Sequence, residues 1–451
     1  MHYYVNILVI MMYTDDKLRL IFSAEDQEEY GKKFSFERMK PLFESMPTRF
    51  NIIGIGGFGN FLLGPIASLL KNLPRDSIQI RYLMFNTARK DVVAAQRLFP
   101  PEEFPYLRVI PLGLTPKEIE EYFNAQEIID MAMRGEMVDE REIQEAKRTI
   151  YNLNRKLRGA GGVYDNGIKL FEKTESVITE ILSELQPATN FAIAGGGKGT
   201  GSSGIYITSR ILSSLDKDRK SLILAGIMKP HPSEGIVRME NYRKAIMNTK
   251  PYTDLLIEVD SIEIPASLSF EQYNAYIAKK LVLNIDMIIK TQLDIPGTVR
   301  SVDQEDLNTT LKERGKSRGI PLLLSSIDKQ NNREYSIDEL LNVKLVQVIE
   351  KSNLVPDSMI MFFDIPKGFR TQDIQGPISK LSEKLGLESL IWGVRERIDG
   401  ENDVDYSSVI DPPSPREVRV SAIVVQSDID QQPEHHIAIR TQELFKGIEI
   451  D

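Results

Sequence analysis

The stretch that most constrains this chain is 191–204, which reads FAIAGGGKGTGSSG. An apolar run that fits a buried strand leads into glycines interrupted only by Lys198 and Thr200, and a helical pattern follows at 205–215. Glycine lets backbone N–H groups turn inward and lets an anion approach without a Cβ in the way, and a helix N-terminus offers unpaired donors. The stretch predicts a phosphate-binding turn. The simpler interpretation is a tight strand-to-helix turn, which rarely needs so many glycines.

Length, charge and cysteine content limit the remaining classes. The chain has 451 residues and a net charge of −9, with no block of Lys or Arg, so nucleic acid is not favoured as a partner. It has no cysteine, which removes disulfides and thiolate metal sites, and its four histidines are too scattered to predict a zinc site. Segment 5–13 is apolar but shorter than the roughly 20 residues that span a bilayer. We expect a cytoplasmic protein with no transmembrane anchor of its own.

Strands alternate with helices through the first part of the chain. This pattern predicts an α/β fold with a parallel sheet covered on both faces and ligand-binding turns at the strand ends. The strands are expected at 50–53, 78–85, 106–112, 191–194, 221–228 and 253–259.

The remaining segments do not follow this alternation of strands and helices. Residues 114–157 are charged and helical by pattern, starting with Thr115-Pro116 as cap and first turn, and are interpreted as an insertion. A helix is expected over 267–283. From 320 to 426 we expect a separate α+β domain with strands at 359–363, 390–394 and 418–425 and a helix at 371–385.

Two common nucleotide motifs fit poorly. Gly54-x-Gly56-x-x-Gly59 matches the dinucleotide fingerprint of a Rossmann dehydrogenase, but that fold wants an acid at the end of the second strand, where this chain has Asn86-Thr87. The dehydrogenase alternative also leaves the glycines at 159–162 and 195–201 unused. A Walker P-loop fits worse, because Gly199 follows Lys198 where Ser or Thr should bind Mg²⁺.

The order of the motifs along the chain is more specific than any one of them. The motifs are GGFGN (56–60), NT (86–87), GAGG (159–162), GGGKGTG (195–201), KP with EG and R (229–238) and NID (284–286). This order resembles the tubulin/FtsZ superfamily over about residues 50–426. The resemblance implies a Rossmann-like parallel-sheet GTPase domain, a central helix and a smaller α+β C-terminal domain. The corresponding boundaries are an N-terminal extension 1–48, a GTP-binding domain 49–265 with the helical insertion 114–157, a central helix and catalytic loop 266–300, a C-terminal domain 301–426 and a tail 427–451.

The resemblance assigns a GTP or GDP site with Mg²⁺. The residues it places along the nucleotide are Gly56, Gly57, Gly59, Asn60 and Asn86. Those that would cap the γ-phosphate are Gly159, Ala160, Gly161 and Gly162, and those that would hold the α- and β-phosphates are Gly196, Gly197, Gly199, Thr200 and Gly201. Lys198 stands where the family usually has Thr, and it either places its ammonium by the phosphates or points outward as a solvated charge.

Further residues follow from the same resemblance. Glu234 and Arg238 would contact ribose and phosphate, although their spacing also fits an ordinary ion pair on one helix face. Phe270, Tyr273 and Asn274 are candidates to stack on and hydrogen-bond the base, with a core-facing aromatic stripe as the equally weighted alternative.

Catalysis in this family is composite, because subunits stack head to tail and the loop after the central helix brings acids to the neighbour's γ-phosphate. The resemblance assigns Asn284 and Asp286 to that loop and finds Ile289 at the second acid position. We therefore expect self-assembly into filaments with slow or impaired hydrolysis, or alternatively a non-hydrolysing GTP-sensing scaffold or dimer. A membrane adaptor bound through the tail 427–451 is a further expectation, although the family's usual partner-binding peptide is not recognisable there.

Overall fold

The computed structural model describes most of the chain. The described residues are 48–70, 73, 78–98, 107–259, 270–293, 298–302, 304–311, 315, 317–328, 333–351, 355–397 and 413–427. The chain divides into the units Met1–Thr48 and Arg49–Asp451, and nearly all described residues belong to the second. The expected N-terminal extension and the tail therefore lie outside the described residues, apart from their boundary residues.

The described strands form one large sheet and one small hairpin. They are β1 Thr48–Ile55, β2 Ile78–Asn86, β3 Leu107–Pro111, β4 Thr189–Gly195, β5 Leu222–Met228, β6 Leu255–Val259, β7 Thr298–Arg300, β8 Ser317–Ser325, β9 Ile327–Asp328, β10 Arg333–Glu334, β11 Ser358–Ile365, β12 Ser389–Glu396 and β13 Arg419–Ser427. The order in the 11-stranded sheet is β3-β2-β1-β4-β5-β6-β8-β13-β11-β12-β7, and β9 pairs with β10.

Helices cover the sheet. They are α1 Gly56–Leu70, α2 Arg89–Leu98, α3 Pro116–Met133, α4 Glu140–Asn154, α5 Tyr164–Ser183, α6 Gly199–Leu215, α7 Ile236–Thr249, α8 Phe270–Thr291, α9 Gln304–Leu311, α10 Ile337–Glu339, α11 Val346–Lys351 and α12 Gln372–Leu385. A π-helical segment, Leu340–Leu345, joins α10 to α11. No helix in the described ranges is long and apolar enough to cross a bilayer.

The first half of the sheet is parallel. β1 pairs with β4 from Phe50 opposite Thr189 onward, and β4 pairs with β5 in the same direction. Side chains of β4 are buried along almost its whole length, as expected for a strand covered by helices on both faces. The predicted α/β fold is therefore confirmed, and the carboxyl ends of β1, β2, β4 and β5 meet at one edge.

The second half continues the same sheet. A short parallel pairing of Leu256 and Ile257 with Arg318 and Gly319 joins β6 to β8, and antiparallel pairs β8–β13 and β13–β11 follow. The strands and the helix expected between 359 and 425 are all present. This half also has its own apolar cluster, with α10, α11 and α12 packed against it.

The helical segment 114–157 begins with the cap that the sequence predicts. Thr115 caps α3, Pro116 occupies the first turn, and the Glu118 side chain returns to the Thr115 backbone N–H at 2.7 Å to complete a capping box. Lys156 Nζ lies 2.7 Å from Glu118 Oε1. The hydrogen bonds from Lys156 and Thr115 lower the pKa of Glu118 to about 2. The pair ties the end of α4 to the start of α3.

Candidate functional site

The turns after β1 and β4 lie against each other at the carboxyl edge of the sheet. Gly56 begins α1 with a φ of +70°, and a Cβ built on it would lie 3.2 Å from the backbone N of Gly201 in the first turn of α6. Gly59 has no room for a side chain, because a Cβ there would overlap the carbonyl oxygen of Ile193 in β4. Gly56 and Gly59 therefore bring α1, β4 and the start of α6 together.

Close packing explains several glycines of the 195–201 turn. A Cβ on Gly199 would lie 2.5 Å from Val163 O, and one on Gly197 would lie 3.0 Å from Pro230 Cβ. A Cβ on Gly196 or Gly201 would overlap neighbouring atoms. Thr200 is partly exposed in the first turn of α6, where N–H groups have no acceptor within the helix. The glycines of this turn are therefore tightly packed, while the first-turn N–H groups of α6 are left without acceptors in the helix.

The turn after β2 is tied to both neighbours. The hydroxyl oxygens of Thr87 and Thr200 lie 2.6 Å apart. Gly159 N donates to Thr87 O at 2.9 Å, and Ala88 pairs with Arg158 in an isolated β-bridge. The turns containing 86–88, 158–162 and 195–201 therefore form one connected rim.

The 159–162 turn needs glycine for its backbone conformation. Gly159, Gly161 and Gly162 have φ angles of +73°, +60° and +78°. No atom lies within 4 Å of a Cβ built on Gly161 or Gly162, so packing does not exclude a side chain there. Ala160 is buried instead, and its Cβ lies against Gly199. The two open glycines leave their peptide groups accessible beside the start of α6.

Asn60 and Asn86 link the first two turns. In the amide orientation that satisfies both side-chain atoms, Asn60 donates to Gly54 O at 2.8 Å and accepts from Asn86 Nδ2 at 3.1 Å. Asn86 also donates to Asp91 Oδ2 at 3.3 Å. A Cβ built on Gly57 would lie 3.3 Å from that carboxylate. Asp91, in the first turn of α2, is a candidate that sequence reasoning missed, and an acid in the first turn after Asn-Thr was the available signal.

A second missed residue is Asn241 on α7. Its Nδ2 donates to Gly162 O at 2.8 Å and to Gly197 O at 3.1 Å, and the side chain is buried. It therefore holds the two glycine turns at a fixed separation. No sequence motif marks it, because its role depends on how α7 packs beside turns that are distant in sequence.

Glu234 and Arg238 form the ion pair that their spacing allows. Glu234 Oε1 also accepts from His231 N at 3.0 Å. The Arg238 side chain packs on the 195–201 turn, with its Cβ 3.3 Å from a Cβ built on Gly197. The pair thus lies at the edge of the glycine turns.

The predicted catalytic loop at 284–286 is wrong. The central helix α8 continues to Thr291, because apolar side chains keep a helical pattern up to Ile289 and no Gly or Pro interrupts them. Asn284 is 0% exposed and Asp286 is 4% exposed. Asp286 pairs with Lys290 at 2.9 Å, and burial raises its pKa while Lys290 opposes the shift. Neither residue lies on a surface loop that a neighbouring subunit could reach.

Ile289 likewise belongs to the helix core, with 0% exposure. Its apolar side chain therefore reflects packing and does not mark a lost acid. A different pair of acids follows the central helix, since Asp303 and Asp306 stand three residues apart. Asp306 is exposed in the first turn of α9, whereas Asp303 lies outside the described residues. The three-residue acid spacing was the missed signal, because the earlier Asn-x-Asp sequence matched the motif first.

The remaining predicted contacts are only partly described. Phe270, Tyr273 and Asn274 lie in the first turns of α8, but their side chains are outside the described part of the structure. Lys198 is exposed at the N-cap of α6 and its side chain makes no capping hydrogen bond. The described residues contain no group of three or more His, Asp or Glu side chains that could hold a metal by themselves.

Comparison with solved structures identifies the class of fold. An FtsZ dimer of M. jannaschii has a TM-score of 0.57 at 15% identity, covering 91% of this chain and 93% of that one. CetZ2 of Haloferax volcanii, a protofilament with GTPγS bound, has a TM-score of 0.54 at 14% identity, covering 89% and 99%. CetZ of Methanosaeta thermophila strain DSM 6194 has a TM-score of 0.53 at 14% identity, covering 88% and 91%.

The chain therefore has the tubulin/FtsZ fold, and the resemblance inferred from the sequence is confirmed at the level of the fold. No protein-family model and no curated protein matches the chain by sequence.

Proposed function

We propose that this protein binds a guanine nucleotide on the turns after β1, β2 and β4, self-assembles head to tail, and hydrolyses GTP at the subunit contact. The observation that carries the proposal is the connected rim. Thr87 bonds to Thr200, Gly56 adjoins Gly201, and Asn241 spans the turns at 162 and 197. The CetZ2 neighbour with bound GTPγS supports the same use of the fold.

The residues present fit a nucleoside triphosphate. The first-turn N–H groups of α6 and the positive end of its dipole favour phosphate. Gly161 and Gly162 are exposed and have open space at their Cβ positions, so their peptide N–H groups would offer further donors. Asp91 is the described carboxylate nearest the first glycine turn and would supply one ligand to Mg²⁺. Bound there, Mg²⁺ would supply positive charge that balances the phosphates.

The dehydrogenase alternative receives little support from the end of β2. A dinucleotide site would have an acidic residue there that accepts a hydrogen bond from the ribose hydroxyl. In this chain Asn86 occupies that place and is engaged with Asn60 and Asp91. We assign base recognition to Phe270, Tyr273 and Asn274, and ribose or phosphate contacts to Glu234 and Arg238, as proposals that rest on the resemblance.

Exposed apolar side chains beside the site support a covering subunit. Val163, Ile236 and Val237 are 44%, 86% and 65% exposed. Val163 directly follows the 159–162 turn, and Ile236 and Val237 begin α7 just after Glu234 and Gly235. Phe61 on α1 is 55% exposed. Large apolar side chains grouped around a polar site are typical of a contact surface. The FtsZ dimer and the CetZ2 protofilament among the structural neighbours support a second copy as the partner.

For hydrolysis we propose Asp306, with Asp303, in place of Asp286. An exposed carboxylate after the central helix can orient or deprotonate the attacking water at a neighbour's phosphate, while α6 amides stabilise the developing charge. This assignment removes the reason to expect impaired turnover, because it no longer depends on Ile289. It leaves the non-hydrolysing scaffold as the alternative that experiment must exclude.

Sedimentation and light scattering with GTP, GDP or no nucleotide, combined with phosphate release, test the proposal. We expect GTP-dependent assembly and phosphate release that rises faster than linearly with protein concentration, because each site needs two subunits. GTP binding without any assembly or turnover across Mg²⁺ and salt conditions would favour the scaffold alternative.

A further inference from the structure

A buried carboxylate joins the two halves of the sheet beside the 195–201 turn. Glu258, near the carboxyl end of β6, is 4% exposed. Its Oε2 accepts a hydrogen bond from the Tyr242 hydroxyl at 2.5 Å, and its Oε1 forms an ion pair with Arg318 Nε. Tyr242 lies on α7 and Arg318 on β8. One carboxylate therefore connects a helix beside the glycine turns with the second half of the sheet.

The Tyr242 ring packs directly on the 195–201 turn. A Cβ built on Gly196 would overlap Tyr242 Cδ2, and Gly196 N donates to Met228 O, at the end of β5, at 2.8 Å. The residue before Tyr242 is Asn241, which bonds to two of the glycine turns. Because a packed interior has little free space, a displacement of Tyr242 must either displace Gly196 or open a cavity.

Arg318 lies where the two halves of the sheet meet. The pairing of β6 with β8 is short, and it includes Arg318 opposite Leu256. The Arg318 side chain is 47% exposed although its partner is buried. A buried carboxylate is unfavourable unless an opposite charge or hydrogen-bond donors balance it. Without Arg318, we therefore expect Glu258 to move towards solvent and to lose its hydrogen bond with Tyr242.

We propose that Arg318 and Glu258 are positioning residues, which act through Tyr242 to hold the 195–201 turn in its binding conformation. The part of this proposal that concerns nucleotide rests on the proposed function. A displacement of β8 lowers nucleotide affinity, and bound nucleotide in turn holds β8 against β6, because coupling between two sites is reciprocal. The C-terminal half thereby influences nucleotide binding without contacting the nucleotide.

Two matched variants separate this role from a general loss of stability. Arg318→Met breaks the ion pair with Glu258. Arg219→Met breaks a pair of the same kind, because Arg219 is 49% exposed and its Nη2 lies 3.0 Å from Oδ1 of the buried Asp254, just before β6 at the end opposite Glu258. We expect both variants to lower Tm. Only Arg318→Met is expected to weaken binding of a fluorescent GTP analogue, by about fivefold or more.

Amide hydrogen exchange tests the same role in protein without nucleotide. We expect faster exchange in peptides that cover 195–201 in Arg318→Met but not in Arg219→Met, because the turn opens more often when the Tyr242 contact is weakened. Arg318→Lys keeps the charge and is expected to restore most of the protection. Tyr242→Phe keeps the ring on Gly196 without the hydroxyl, and it is expected to raise exchange there even if Arg318→Met does not fold.

A double variant tests whether the residues act together. In Arg318→Met with Tyr242→Phe, we expect the loss of affinity to be smaller than the sum of the single effects in free energy, because both act through Glu258. Additive effects, equal losses of affinity in Arg318→Met and Arg219→Met, or unchanged exchange at 195–201 would overturn the proposal. Absence of GTP binding by wild type would contradict the proposed function itself, and the exchange measurement would still decide the positioning role.

Discussion

The hydroxyl oxygens of Thr87 and Thr200 lie 2.6 Å apart, which joins the end of β2 to the first turn of α6. Thr87→Val removes only this hydrogen bond, whereas Thr200→Val also removes a hydroxyl from the proposed phosphate turn. We expect nucleotide affinity to fall about threefold in Thr87→Val and about tenfold or more in Thr200→Val, as the loss of one or two such bonds implies. Titration with a fluorescent GTP analogue measures both.

Thr179→Val is the matched control, because that hydroxyl bonds only within α5, to Glu175 O at 2.8 Å. Equal nucleotide affinity in all three variants would show that neither Thr87 nor Thr200 contributes to nucleotide binding.

Asn241 provides a test of how the site is held together. Asn241→Leu keeps the approximate volume but removes both hydrogen bonds to Gly162 O and Gly197 O. We expect a loss of about 1–3 kcal/mol in the free energy of unfolding, because two buried carbonyls lose their donor, and a weaker nucleotide affinity. Asn248→Leu on the same helix is the control, since Asn248 bonds to the Tyr164 hydroxyl at 2.8 Å. If both variants lose nucleotide equally, the effect is global destabilisation.

The reassigned acids make a prediction about turnover. Asp306→Asn is expected to lower GTP turnover at least 100-fold while nucleotide binding persists, because loss of a positioned base typically costs about 10²–10⁴ in rate. Ile289→Asp is expected to destabilise the fold without raising turnover, since Ile289 is 0% exposed. Phosphate release and equilibrium unfolding measure the two effects. Higher turnover in Ile289→Asp would restore the original assignment of the catalytic loop.

The capping box of α3 predicts a dependence on pH. The pKa of Glu118 is lowered to about 2, from 4.5, by its bonds to Lys156 and Thr115. A lowered pKa means that the stabilisation is complete above pH 4.5 and is lost as the pH falls through the folded value. We expect Glu118→Gln to be less stable than wild type at pH 6, with the difference shrinking towards pH 2. A difference that does not change with pH would contradict the ion pair.

Thr115→Ala tests the same cap through its other partner. We expect a cost of about 1 kcal/mol in the free energy of unfolding at any pH above 5, which denaturant titration measures. An unchanged free energy of unfolding would mean that the cap of α3 does not stabilise the protein against global unfolding.

Local patterns predicted much of the fold. The glycine turns, the Thr115-Pro116 cap and the strands of both halves depend on residues close together in sequence, so they could be identified in advance. The pairing that joins β6 to β8 could not, because it brings residues 256–257 opposite 318–319 through a contact of four residues. A long-range contact of this kind leaves no periodic signal.

The candidate site was also only partly predictable from local sequence. Motif order located the turns, and an acid shortly after Asn86-Thr87 was a local signal for Asp91, but Asn241 bonds to two of the turns through tertiary contacts that no local spacing reveals. The motif at 284–286 misled because a short Asn-x-Asp match was preferred to the apolar periodicity that carries α8 through Ile289. Periodicity over several turns is a stronger signal than a motif of three residues.

The most direct test of the central claim is the nucleotide that purified protein retains. Denaturing the protein and separating the released small molecules by chromatography distinguishes GDP or GTP from NAD by elution and absorbance. The connected glycine turns predict GDP or GTP at up to one per chain in wild type and a reduced amount in Thr200→Val. Released NAD, or failure to bind added GTP when no nucleotide is retained, would contradict the guanine-nucleotide site.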